Sequence, residues 1–424
     1  MDVANFIKQK QENKKHTIND IKHFIENLKS FSKEEITSWL KSVKANGLDD
    51  DETSTLTLAM AESGKILNWE GFEPLVDKHS TGGIGDKVTL LFVPLIAACG
   101  INIPKLSGRG LGITGGTIDK LESIKGFKTS LSIDEIKKQI KKIGLSISST
   151  SSELAPADKV LYAIRDVTDT VNSIPLIASS IMSKKIACGA KNIILDVKWG
   201  NGAFMKAFNE AKLLAEKMIA IGKSLSKNVR AVVTDMNEPL GKNIGNALEV
   251  LEVLEVLNGK EITDLVEVTI TLAKEAILLV HPKSSIGLED KLRKILLNGE
   301  TMKKFKQMVF EQDGDLSAGF PKANYHEAFL SQEEGFIESI NAHKIGEAAH
   351  FLGAGRISIE DRIDYSVGIV LYKKHGNFVK RNEPLFQVYS KNKENAMKAK
   401  NMLFNAVKFA KESPIKFKLI HDIL

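Results

Sequence analysis

The chain has 424 residues, 43% of them hydrophobic and 26% charged, with a formal net charge of +6. That length exceeds what one compact core usually accommodates, so two or more domains are expected. Aromatics make up only 6%, and no basic segment interleaves them as a base-stacking surface would, so nucleic acid is not the expected partner.

Residues 1–65 read as helices only. "TINDIKHFIENL" sets Ile18, Ile21, Phe24, Ile25 and Leu28 at helical spacing. "SKEEITSWL" opens with Ser32 and Glu35, a capping box. "DDETSTLTLAMAESG" has acids in its first turn and Gly64 at its end, as a helix should. The N-terminal "MDVANFIKQKQENKK" lacks the apolar core of a secretion signal.

From about residue 72, β-branched runs alternate with helices. "INIPKLS", "LSISST", "KNIILDVKWG" and "NVRAVVTDM" are strand candidates, and "SIDEIKKQIKKIG" and "AFNEAKLLAEKMIAIGKSL" are helices. The alternation predicts a mostly parallel sheet covered by helices. "TLLFVPLIAACGI" is too short for a bilayer, which takes ~20 residues, and reads as a buried helix. Residues 156–188 hold no strand candidate and read as helices inserted between two strands. The expected fold is therefore α/β with α+β layers. A small helical lobe (1–66 and 156–188) sits beside a larger α/β lobe (67–155 and 189–329), with a cleft between them and a C-terminal α+β portion (330–424). Cys99 and Cys188 are too few for a disulfide framework, which points to a reducing cytoplasm. No membrane partner is expected.

Two glycine-rich runs carry the chemistry. "DKHSTGGIGDKVTLL" (77–91) follows a strand ending near Val76 and precedes a helix starting near Lys87. Glycines let backbone N–H groups converge on an anion, and the helix N-terminus adds partial positive charge. Lys78, Ser80, Thr81 and Thr89 would complete an oxyanion cradle, most naturally for phosphate. The alternative is a turn of small residues with Lys78 solvated. "GGIGDKV" is not a P-loop. In "SGRGLGITGGTIDKLE" (107–122), "GLGITG" matches the dinucleotide fingerprint, but no acid ends a second strand about 20 residues on, so the NAD reading fails. Ser107, Arg109 and Thr117 read as further donors facing the first loop. Arg165, and Ser180 with Lys184 one turn apart, fit either a ligand across the cleft or a solvated helix face. His79 fits either a proton donor or a structural role.

"SGRGLGITGGTIDKLE" closely resembles the signature of the thymidine and pyrimidine-nucleoside phosphorylases. "DKHSTGGIGDKVT", "LAPADK", "YAIRDVTDTVNSIPLIASSIMSKKIA", "LDVKWGNGAFM", "TDMNEPLGKNIGNALEV" and the tail "GAGR…DYSVGIVL" look like that family in the same order. The resemblance implies reversible phosphorolysis of a pyrimidine nucleoside by a homodimer, with inorganic phosphate as co-substrate and no cofactor needed for the chemistry. It implies phosphate ligands at Lys78, Ser80, Thr89, Ser107 and Thr117, and base contacts at Arg165, Ser180 and Lys184 with His79 beside the base. His79, Arg165 and Lys184 then serve as the donors of catalysis. Lys105 resembles the broader enzymes, where strict thymidine phosphorylases tend to have methionine, and so implies uridine as well as thymidine and deoxyuridine. Some members hold a potassium ion, which maps to Gly85, Lys87, Leu240, Asn243 and Glu252. Lys87 stands where others offer threonine, and its ammonium would either repel the ion or stand in for it. Ile113 replaces a usual histidine, and Ser148 and Ser149 replace the usual glycine and glutamine. A strict thymidine phosphorylase, a phosphoribosyltransferase of related architecture and a non-catalytic nucleoside-binding relative are the rival readings.

Overall fold

The computed structural model describes residues 2–110, 112–113, 115–356 and 361–424. Leu111 and Thr114, inside the fingerprint-like run, lie outside them.

The N-terminal helices follow the apolar spacing. Val3–Gln11, Ile18–Glu26, Lys33–Asn46 and Asp50–Glu62 are helical. Ser32 and Glu35 form the expected capping box, satisfying N–H groups that have no partner inside the helix. Ile21, Phe24, Ile25 and Leu28 are buried, whereas Ile18, at the first helical position, is exposed. The helices Pro156–Asp166 and Ile174–Ala187 return to this layer. Ala157, Leu161, Ile164 and Leu176 pack in the same apolar cluster as Phe24 and Trp39.

The main sheet holds β1 (Val76–Ser80), β4 (Asn192–Trp199) and β5 (Asn228–Asp235), and β2 (Ile103–Ser107) with β3 (Leu145–Ser149) forms a two-stranded sheet beside it. β1–β4, β4–β5 and β2–β3 pair in parallel, and a bridge from Leu75 to Asn102 joins the two groups. The fold is thus α/β with a mostly parallel sheet, as the alternation predicts. The helix Val88–Ala98 is buried from Val88 to Ala97 and fills the centre of the largest core. Pro94 within it leaves the run helical.

β1 departs from expectation. Its ladder with β4 continues past Val76 to Ser80, which pairs with Asp196. Lys78, His79 and Ser80 are therefore strand residues, not loop residues, and the loop proper begins at Thr81.

The C-terminal part adds β6 (Asn243–Ile244), β7 (Tyr325–Leu330), β8 (Gly335–Ile340), β9 (Gly368–Leu371), β10 (Phe378–Val379), β11 (Pro384–Ser390), β12 (Val407–Ala410) and β13 (Ile420–Ile423). One antiparallel sheet runs β6-β9-β11-β7 and a second runs β10-β8-β12. β6 is borrowed from the earlier chain, and β13 returns to pair antiparallel with β5 at the edge of the main sheet. Among the described residues, no helix is long and apolar enough to cross a membrane.

Candidate functional site

Side chains alternate between the faces of a strand, and this alternation sorts the residues of β1. Lys78 and Ser80 turn one way and Asp77 and His79 the other. The contacts follow that division.

On the first face, the Lys78 ammonium is fully buried. It donates to Thr89 Oγ1 at 3.2 Å, at the start of the helix Val88–Ala98, and lies 3.7 Å from Asp196 Oδ2. Asp196 is held in turn by Lys198 at 3.0 Å and by the Thr234 hydroxyl at 2.8 Å. Ser80 Oγ donates to Asp86 Oδ2 at 2.6 Å and accepts from Gly82 N–H at 3.2 Å. Asp86 also accepts from Val88 N–H at 3.2 Å. Burial alone would raise the Asp86 carboxyl, but Lys198, Lys78 and Lys120 outweigh it and hold the group well below the carboxylate range. Burial lowers Lys78, opposed by Asp86 and Asp196. The pair Lys78–Thr89 is therefore brought together as expected. Ser80 is not a free donor, since its proton is committed to Asp86.

On the second face, Lys185 of the helix Ile174–Ala187 reaches Asp77 Oδ2 at 2.7 Å. His79 is half-buried, and its pKa lies well below the ordinary histidine value. The causes are burial, then Lys185, Lys105, Lys184 and Lys78. Lys105 on β2 is buried and donates to the carbonyl of Leu106 at 2.6 Å. Burial, then Lys185, brings its pKa down to about 7, with Asp77 opposing. Lys184 Nζ donates to Ser180 at the carbonyl, 2.9 Å, and at Oγ, 3.0 Å, and pairs with Asp158. Basic side chains from β2 and from the helix Ile174–Ala187 thus gather on the His79 side and disfavour a proton on its imidazole. Such a cluster favours an anion or an electron-rich carbonyl.

Arg165 does not lie on a solvated helix face. It is buried, and its guanidinium donates to the carbonyls of Thr170 at 3.4 Å, Val171 at 2.8 Å and Leu176 at 3.0 Å. The fork ties together two helices and their connecting loop. Three of its five N–H groups are committed in this way.

The second glycine run is organised by Asp119. Its carboxylate accepts from Gly110 N–H at 2.6 Å, Gly116 N–H at 3.2 Å and Arg356 at 2.7 Å. Arg109, expected to face the first loop, is instead paired to Glu122, which also accepts from Tyr365 at 3.0 Å. Ser107 ends β2, and Thr117 opens the helix Thr117–Leu121; neither hydroxyl bonds to another described residue. Lys120 Nζ reaches the carbonyls of Asp86 at 2.8 Å and Gly115 at 3.1 Å, joining the two glycine runs. Ile113, in place of a polar residue, packs on the C-terminal core beside Gly346. Ser148 holds Leu131 N–H at 3.0 Å and the carbonyl of Thr129 at 3.1 Å, which is a structural role.

The positions mapped to potassium do not fit an ion. Lys87 Nζ donates to the carbonyls of Leu240 at 2.9 Å and Asn243 at 2.8 Å and to Glu252 Oε2 at 2.6 Å. Gly85 makes no hydrogen bond to it but lies against the Leu240 carbonyl. Among the described residues, no group of three or more His, Cys, Asp or Glu could hold a metal.

Sequence reasoning missed Asp77, Lys185, Asp196, Lys198, Lys120 and Asp158. The available signal was a charged residue inside an otherwise apolar strand, as in "IILDVKW". Two surface depressions lie elsewhere. One of about 670 Å³ runs along Lys142, Lys303 and Phe310, and one of about 390 Å³ lies between Arg109, Arg356 and Tyr365. Of the donors expected from the sequence, only Arg109 lines either.

Residues 73–302 match the model described as glycosyl transferase family, a/b domain. Residues 336–410 match pyrimidine nucleoside phosphorylase C-terminal domain. The chain is 44% identical over 407 residues to the pyrimidine-nucleoside phosphorylase of Staphylococcus haemolyticus, covering 93% of each chain. It is 42% identical over 433 residues to that of Bacillus subtilis, covering all of both. Among solved structures, anthranilate phosphoribosyltransferase from Thermus thermophilus superposes with a TM-score of 0.59 at 16% identity, over 74% of this chain and 99% of that one. That likeness speaks to the fold alone.

Proposed function

Since this chain belongs to the pyrimidine-nucleoside phosphorylase family, we propose that it catalyses reversible phosphorolysis of thymidine, deoxyuridine and uridine to the free base and the (deoxy)ribose 1-phosphate. A phosphate oxygen bonds to C1′ while the C1′–N1 bond breaks, and its electron pair passes into the base. The carbon inverts. Positive charge grows on the sugar and negative charge on the base carbonyls, so donors aimed at those carbonyls act on charge present only in the transition state.

The observation that carries this reading is the cluster of basic side chains on the His79 side of the sheet, where Lys105 and Lys185 lie buried and Lys184 sits beside Ser180. His79, kept neutral, keeps an N–H to donate to the base, with Ser180 and Lys184 beside it. Arg165 shapes this side by holding the 170–176 backbone. Lys78, Thr89, Ser80, Ser107 and Thr117 receive phosphate, with Ser80 exchanging its Asp86 bond for a phosphate oxygen. Lys105 donates to the sugar, including a 2′-hydroxyl. The helical layer supplies the base side and the dimer contact, and the α/β layer supplies the phosphate side. Closure of the intervening cleft excludes water. The enzyme works in the cytoplasm as a homodimer, and no cofactor enters the chemistry.

The test is base release from thymidine, deoxyuridine, uridine and cytidine with and without inorganic phosphate. Release from the first three that requires phosphate supports the proposal. Phosphate-independent release, or none, would overturn it.

A further inference from the structure

Lys87, Leu240, Asn243 and Glu252 come from the end of the first glycine loop, the loop after β5, the start of β6 and the helix Asn246–Leu257 respectively. Two backbone carbonyls and a carboxylate converge on one point, which is the donor set of a hard cation. The cation at that point is the Lys87 ammonium. It has three N–H groups, and its three partners lie at 2.6–2.9 Å. Glu252 is saturated too, accepting from Lys242 N–H at 2.7 Å and Asn243 N–H at 3.1 Å.

The surrounding backbone packs closely against this ion pair. A Cβ on Gly241 would lie 2.5 Å from Glu252 Oε2 and 2.8 Å from Lys87 Nζ; one on Gly85 would lie 2.5 Å from the Leu240 carbonyl. Both glycines have positive φ, so they permit a turn and an approach that other residues would block. One buried carboxylate balances one buried ammonium, and an added ion would leave net charge in the interior at a high desolvation cost.

We infer that Lys87 is a tethered replacement for a monovalent cation, fastening the first glycine loop to the Leu240–Asn243 turn, so that this enzyme neither binds nor needs potassium there. Lys87 is a positioning residue, acting through Asp86 and Thr89, its neighbours in the chain. The inference rests on the cage geometry and goes beyond the substrate reading.

The test compares the full-length wild type with Lys87→Thr in tetramethylammonium chloride, replaced stepwise by potassium chloride at constant ionic strength. The readouts are kcat/KM for thymidine phosphorolysis and the melting temperature. Wild type is expected to stay flat in both. Lys87→Thr is expected to lose about 10–100-fold in kcat/KM without potassium, to melt lower, and to recover both saturably as potassium is added. A potassium-dependent wild type overturns the inference, as does a Lys87→Thr enzyme equally impaired at every potassium level. If the variant does not fold, wild-type crystals soaked in rubidium decide: no anomalous peak inside the cage supports the inference and a peak overturns it. The melting and diffraction readouts need no turnover, so they stand apart from any failure of the proposed reaction.

Discussion

The ammonium of Lys185 lies 2.7 Å from Asp77 Oδ2, with both side chains buried. This pair links the helix Ile174–Ala187 to the first strand of the sheet, two positions before His79. Removing one partner of a buried pair leaves an uncompensated charge, which typically costs about 3–5 kcal/mol, whereas replacing both with apolar groups of similar volume is often nearly neutral. Lys185→Met should therefore melt far below wild type, and Lys185→Met/Asp77→Leu should regain part of the loss. Calorimetry of the single and double variants checks this. Equal melting of the single variant and wild type would remove the pair as a strut.

Lys78→Ala should damage phosphate use. Loss of one preorganised donor costs about 10²–10³ in rate, and here it also removes the partner of Thr89 and a neighbour of Asp196. Initial rates across a phosphate series measure it. An unchanged rate at every phosphate level would exclude Lys78 from the phosphate site.

Arg165→Ala and Lys184→Ala should differ in kind. Arg165→Ala strips donors from the carbonyls of Thr170, Val171 and Leu176. Each buried acceptor left unpaired costs about 1–3 kcal/mol, so the melting temperature should fall with activity. Lys184 is partly exposed, so Lys184→Ala should lower kcat with a smaller thermal loss. Parallel melting and kinetic assays separate the two. A stable but inactive Arg165→Ala would restore that residue to direct contact with the base.

His79 sets a pH dependence with a defined sign. Its folded pKa lies well below the ordinary 6.5, so below that value the unfolded chain takes up a proton that the folded chain refuses. Stability then rises with pH up to about 6.5 and is unaffected by this group above it. Lys105 acts in the same direction over a higher window, from about 7 in the folded state to 10.5 unfolded. His79→Gln should flatten the acid limb of the melting profile between about pH 5 and 7. An acid limb identical to wild type would contradict the neutral imidazole.

Lys105→Met tests the sugar contact. If Lys105 donates to the 2′-hydroxyl, the loss should fall on uridine and spare thymidine, by roughly 5–150-fold, the worth of about 1–3 kcal/mol for an unmet polar group. The measurement is kcat/KM for both substrates in both proteins. An equal loss on both would assign Lys105 to phosphate.

Much of the layout could be read in the chain. The apolar runs at Asn192–Trp199 and Asn228–Asp235 are strands because they are β-branched and buried along most of their length. The capping box at Ser132–Glu135 and the left-handed Gly144 close the helix Ile133–Ile143, between β2 and β3, where their chemistry requires. The glycine runs marked the turns after β1 and β2, where Gly82, Gly85 and Gly112 take positive φ.

Partnership was decided by the tertiary structure. Lys78 and His79 are adjacent in sequence, and the ladder with β4 extends through both, so pleating sends them to opposite faces and into different networks. Extended backbone pairing depends on a strand more than a hundred residues away, which local sequence does not contain. The same holds for Lys87, whose ammonium fills a cage built by Leu240, Asn243 and Glu252. Sequence determines which charges this protein carries. The fold chooses which of them meet, because the cost of burying a charge is set by what stands within hydrogen-bond reach of it.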